Sequence, residues 1–164
     1  MNEHENRFAK LITLYIGIEE RIIKLVNQNF SSLCKNCVSK CCREEYCRES
    51  MDSPFLSLLI KKQKILYDPE MGWLGPVGCK INYGRPLVCH QFFCERFLEQ
   101  DVLKKSDIPN YIDEFSAIGR KAYGNAHIMC VGNLDKISLK KIEKMETKCN
   151  VLISKIEHNS KVSL

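Results

Sequence analysis

The chain has 164 residues, ten cysteines and a formal net charge of +5. That length suits one domain of ordinary size with a substantial apolar core, so neither metal nor disulfides are needed merely to compensate for smallness. Lysine and glutamate alternate in "SLKKIEKMETK", a solvated helix face, and so mild a charge argues against a nucleic-acid partner.

The first stretch, "MNEHENRFAKLITLYIGIEE", lacks a basic region followed by a clean apolar run. No apolar run approaches the ~20 residues of a membrane span. A cytoplasmic location without a membrane partner is expected, and there thiols stay reduced. Residues 4–30 are expected to be helical. Leu11, Tyr15, Ile18, Ile22 and Leu25 recur at spacings of four and three, with Gly17 tolerated at modest cost.

"CKNCVSKCC" follows, placing Cys34, Cys37, Cys41 and Cys42 within nine residues. A C-x-x-C pair lets two thiolates curl onto one metal ion. On a helix Cys34, Cys37 and Cys41 would share a face, while Cys42 would point about 100° from Cys41, toward a second site or the core. Adjacent cysteines suit a simple disulfide staple poorly. With a reducing compartment, the cluster reads as metal ligation rather than bridges. Cys47, in "EEYCRES", is a further candidate beside it. Neighbouring Glu44 and Glu45 diverge from one another and give weak support for acid–base chemistry.

"DSPFLSLLIKKQKIL" predicts a helix capped by Asp52 or Ser53, with Pro54 in its first turn. From Tyr67 to Cys94 the chain is rich in glycine and proline, which predicts irregular backbone with at most short strands around Ile81 and Val88. "GWLGPVG" lacks the ending of a phosphate loop and reads as a turn. Cys79, Cys89 and Cys94 lie in this segment. "IPNYIDEFSAIGRKAY" predicts another helix, with Pro109 near its start and Gly124 near its end. The last helix is expected over 138–158, with Ser138 as N-cap and Ile142, Met145, Cys149, Leu152 and Ile156 as its apolar stripe. The two long terminal helices are expected to pack together, an antiparallel pairing being open to them.

The expected fold is therefore mainly α: a single helical domain, 1–164, with an irregular cysteine-rich metal lobe within 34–94, between the first and last long helices. Its candidate ligands are Cys34, Cys37, Cys41, Cys42, Cys47, Cys79, Cys89 and Cys94, enough for two four-coordinate sites. Soft thiolates suit zinc or an iron–sulfur cluster, and spacing does not separate the two. The order C-x-x-C-x-x-x-C reverses the radical-SAM signature and differs from the ferredoxin runs.

"CKNCVSKCC" followed by "GCKINYGRPLVCHQFFC" resembles the YkgJ-type cysteine-cluster family, described as zinc- or iron-chelating. The resemblance covers about Cys34 to Cys94. Cys34, Cys37, Cys41 and Cys42 match its first motif, and Cys79, Arg85, Pro86, Cys89 and Cys94 its second. It implies metal binding, with iron–sulfur ligation included. Three positions depart from the pattern. Met71, before Trp73 and Leu74, stands where the family has a cysteine; Cys47 is extra and is a candidate to compensate; His90 replaces an arginine. A related cluster occurs in flagellin lysine methylases, but this chain shows no cofactor-binding methyltransferase region, and that activity is not transferred.

Arg85 is expected either to neutralise thiolate charge or bind a substrate anion, or to bond loop carbonyls. His90 is expected to be a metal ligand, a hydrogen-bond partner of a coordinated thiolate, or an ordinary surface residue. Cys130 and Cys149 read as core thiols, and His4, His127 and His158 as packing or surface residues. Phe92, Phe93 and Phe97, interleaved with Arg96, are expected to wall the lobe rather than stack on bases. Three functions follow: a zinc or iron–sulfur protein, a redox component or metalloenzyme using the cluster, and a zinc-stiffened module that binds a protein partner.

Overall fold

The computed structural model describes residues 2–35, 44–75, 78–91, 98–99 and 101–162. They form seven α-helices, two short strands and two 3₁₀ turns. Helix α1, Glu3–Lys35, starts at a reciprocal cap: Asn2 Oδ1 accepts the Glu5 N–H at 2.9 Å, and the Asn2 N–H donates to the Glu5 carboxylate at 2.9 Å. The helix runs past the expected Phe30 and takes in Cys34. Its stripe is buried as the periodicity requires, with Leu11, Tyr15, Ile18 and Ile22 almost wholly covered.

Helix α2, Glu44–Asp52, is followed after one residue by α3, Pro54–Lys61. Ser53 caps α3, its Oγ accepting the Leu56 N–H at 3.3 Å, and Pro54 occupies the first turn. Strands β1, Leu74–Gly75, and β2, Gly78–Cys79, form an antiparallel hairpin in the register Leu74↔Cys79. The strand expected around Val88 is instead a short helix, α4, Leu87–Gln91. Pro86 fixes the turn before it, and the Pro86 carbonyl accepts the Cys89 N–H at 3.0 Å. Ile81 also lies outside any strand.

Helices α5, Asp101–Lys105, and α6, Ile108–Ile118, follow. Helix α6 ends at Gly119, not near Gly124. A Cβ at Gly119 would meet Ile128 Cγ2 at 2.5 Å, so only glycine lets the next segment fold back so closely. Helix α7 is Leu139–Val162, and the Ser138 carbonyl accepts the first N–H groups, from Lys141 and Ile142.

Helices α1 and α7 pack along their length, but in parallel. Ion pairs Arg7–Glu143, Lys10–Glu146 and Arg21–Glu157 join them, so residue numbers rise together on the two helices. An antiparallel pair suits a short connection; here everything from α2 to the last 3₁₀ turn lies between, and the chain has returned to the starting end before α7 begins. The main core comprises the buried faces of α1, α3, α6 and α7, closed by Ile128, Val131 and Ile137. At its centre Tyr15 packs between Phe55, ring centroids 5.1 Å apart and edge-on, and Phe115, at 4.4 Å.

Candidate metal centre

Helix α2 and the following loop build a second, smaller core. Cys47, Ile60, Trp73 and Ile81 are its buried members, and Ile65, Tyr67, Leu74 and Cys79 pack against it. Trp73 Nε1 donates to Ser50 Oγ at 2.7 Å, and Ser50 Oγ donates to the Cys47 carbonyl at 2.6 Å. The only tryptophan of the chain is thus tied to the turn of α2 that carries Cys47. Tyr67 meets the indole edge-on at 5.0 Å. Two candidate ligands from separate stretches of sequence, Cys47 and Cys79, therefore belong to one apolar cluster.

Before Trp73 the chain turns tightly. Asp68 Oδ1 accepts the N–H groups of Glu70 and Met71, both at 2.9 Å, and these bonds hold its carboxyl below the usual range. Gly72 completes the turn at φ +59°. Met71, where the family resemblance puts a cysteine, is 48% exposed on this turn.

The Arg-Pro segment is held by side chains from helix α1 and from the turn after α3. Gln63, just beyond α3, accepts the Asn82 N–H at 2.7 Å and donates to the Tyr83 carbonyl at 2.8 Å. Gly84 then adopts φ +82° and lies against α3, where a Cβ would sit 2.9 Å from Ile60 Cγ1. Glu19 of α1, 0% exposed, accepts the Gly84 N–H at 2.7 Å on Oε2 and the Arg85 N–H at 2.9 Å on Oε1. His90 Nε2 donates to the same Oε1 at 3.1 Å. Three donors on one buried carboxylate offset the cost of taking its charge out of water.

Arg85 turns its guanidinium back onto the Ile81 carbonyl, Nε at 3.1 Å and Nη2 at 2.8 Å, which is the loop-bracing role open to it. His90 is buried against Phe115, ring centroids 5.5 Å apart. With Nε2 committed to Glu19, ligation through that nitrogen would break the pair. Cys89, the residue before it, is exposed on α4. Gln91 ties α4 to α6 by donating to Ser116 Oγ at 3.1 Å.

Cys37, Cys41, Cys42 and Cys94 lie outside the described residues, as do Phe92, Phe93, Arg96 and Phe97, and for Cys34 only the backbone is described. Among the described residues no group of three His, Cys, Asp or Glu side chains is placed to hold a metal ion. As a donor set the cysteines fit zinc or an iron–sulfur cluster by softness; Cys79 is partly exposed and Cys89 exposed, while Cys47 is buried in the small apolar core.

Cys149 is a core thiol on α7, and burial together with Glu146 pushes it up to about 12. Cys130 is not. Ile128, Met129 and Val131 take the inward places of its turn, and Cys130 opens on a cavity of about 480 Å³ lined also by Glu49, Asp52 and Pro86. His127 is half-buried, lowered by that burial, and its Nδ1 accepts the Met129 N–H; His4 donates to the Ile137 carbonyl at 2.8 Å; His158 is exposed.

Glu19 is the residue that spacing arguments miss. It lies on the apolar stripe, four residues after Tyr15 and three before Ile22, and a carboxylate on such a face was the available signal. No described helix is long and apolar enough to cross a membrane. Comparison with family models, with curated proteins and with solved structures gives no match.

Proposed function

We propose that the protein is a thiolate metal-binding protein whose lobe between Cys34 and Cys94 holds zinc or an iron–sulfur cluster. The observation that carries this reading is that Cys47 and Cys79 both belong to one small apolar core, in a chain that also carries C-x-x-C-x-x-x-C-C and R-P-x-x-C. The same two motifs carry the resemblance to the YkgJ-type family. Cys34, Cys37, Cys41, Cys42, Cys47, Cys79, Cys89 and Cys94 are the residues that would hold the metal. Zinc would cross-link the irregular segments; a cluster would add one-electron transfer.

The chain's own contribution is a braced setting. Trp73 belongs to the small apolar core that buries Cys47 and packs against Cys79. Gln63 and Glu19 fix the loop backbone without contributing ligands. Arg85 is spent on the Ile81 carbonyl and leaves its charge close to the Arg-Pro turn. Cytoplasmic location and a protein partner belong to the same proposal, since reduced thiols and a metal-stiffened surface are what it requires.

Anaerobic purification from cells supplied with both metals, followed by elemental analysis and an absorption spectrum, tests the reading. Iron with matching sulfide and a broad band near about 400 nm gives the cluster. Zinc without colour gives the structural or storage site. Protein that carries neither metal, and takes up neither on reconstitution, would refute it.

A further inference from the structure

We propose that Glu19 is the positioning residue of the metal lobe, a buried carboxylate that presents Cys89 to the metal in a fixed orientation. The inference rests on the metal-binding reading and goes beyond it, because Glu19 lies on the first helix, outside every cysteine motif. Its carboxylate brackets Cys89 in the chain. Upstream it holds the N–H groups of Gly84 and Arg85; downstream it holds His90.

Helix α4 has five residues, too few to keep its own orientation without help. Adjacent residues on a helix point about 100° apart. Drawing His90 inward onto Glu19, with a side chain 3% exposed, therefore turns Cys89 outward. Gln91 bonding Ser116 fixes the same phase from α6. Neutral core residues would fill the space equally well. What they cannot do is gather two backbone donors and an imidazole from either side of one cysteine.

The test is a double-mutant cycle on the full chain with Co(II) as the probe, read by competition with a chelator and by the thiolate-to-cobalt absorption. Glu19→Gln keeps the shape and removes the charge. It is expected to weaken Co(II) binding about 10- to 100-fold and to lower the thiolate absorption, as loss of a residue that orients a ligand does. In a Cys89→Ser background the same substitution should change affinity by less than about 2-fold, since there is then no thiolate to orient. His90→Gln, which loosens only the downstream bracket, should show the same dependence on Cys89, and it carries the test if Glu19→Gln fails to fold. Unchanged affinity in these variants, or an equal loss with and without Cys89, would overturn the positioning role while leaving the metal site standing. Wild-type protein that takes up neither Co(II) nor a cluster from iron and sulfide would bring down the metal reading, and the positioning role with it.

Discussion

His90 and Glu19, 71 residues apart in sequence, meet at 3.1 Å inside the protein, with side chains 3% and 0% exposed. The pair joins the first helix to the short helix that carries Cys89. Replacing His90 by alanine leaves Glu19 with its two backbone donors but strips its third and opens space beside Phe115. The expected loss is about 2–3 kcal/mol in metal-free protein, measured by urea unfolding. A loss below about 0.5 kcal/mol would mean that the imidazole contributes nothing to holding the carboxylate.

Gly84 and Gly124 separate backbone strain from steric clash. Both have positive φ, +82° and +55°, but a Cβ at Gly84 would press on Ile60, Leu59 and the Leu56 carbonyl, whereas at Gly124 it meets open space. Gly124→Ala should cost about 1–2 kcal/mol, the left-handed penalty alone. Gly84→Ala should cost at least about 1 kcal/mol more by the same unfolding measurement, because α3 must shift. Equal costs would show that the loop, not α3, gives way.

Apolar periodicity made the long elements legible. Ile142, Met145, Cys149, Leu152 and Ile156 are all buried, and Ser53 caps α3 as its side-chain chemistry dictates. Such features depend on neighbours a few residues away. The parallel run of α1 and α7 depends on the path of everything between them, and periodicity carries no direction. Helix α4 was hidden for a related reason: "LVCHQ" is too short for a pattern, and its conformation is imposed by Glu19 and Ser116. Cys130 looked like core because Ile128, Met129 and Val131 around it are, yet a 3₁₀ turn cannot point four successive side chains inward. Of the candidate ligands, structure describes the surroundings of Cys47, Cys79 and Cys89.

Trp73 reports on the lobe rather than on the main helical core. It belongs to the small core with Cys47, whereas α1, α3, α6 and α7 bury their own apolar faces together. Stripping the metal with a chelator should shift Trp73 emission to the red and leave most of the far-ultraviolet helical signal in place. Loss of both signals together would show that the helical core cannot stand without the metal; no change in either would remove the proposed metal from the neighbourhood of Trp73.

Cys149 and Tyr15 set the alkaline limit of stability. Burial and Glu146 raise the thiol from an ordinary 9.0 to about 12, and burial with the charge of Glu19 raises the phenol. Between the unfolded and folded values the unfolded chain has lost the proton and the native state keeps it. This contribution is therefore fully present below about pH 9 and is lost as pH rises toward about 12. Cys149→Ala should be less stable at neutral pH, from the cavity it leaves, yet show a shallower fall in stability between about pH 9 and 11. Parallel profiles for the two proteins would rule out the thiol as a source of the slope.

The ion pairs between α1 and α7 should differ sharply in worth, although they look alike on the helix surface. Arg21 and Glu157 are 38% and 52% exposed at 2.6 Å, and water screens such a pair; Arg21→Met should cost no more than about 0.5 kcal/mol. Glu146 is 5% exposed, is approached by Arg7 at 3.4 Å and Lys10 at 3.5 Å on Oε2, and its Oε1 has no hydrogen-bond partner among the described residues. Arg7 also reaches Glu143 at 3.1 Å, so one guanidinium serves both carboxylates. Among the described residues, Arg7→Met would leave Glu146 with Lys10, which is 60% exposed. A loss of about 1–3 kcal/mol is expected. The comparison is made by urea unfolding of both variants at pH 7. If Arg7→Met and Arg21→Met cost the same at pH 7, burial of Glu146 confers no special value on its partners.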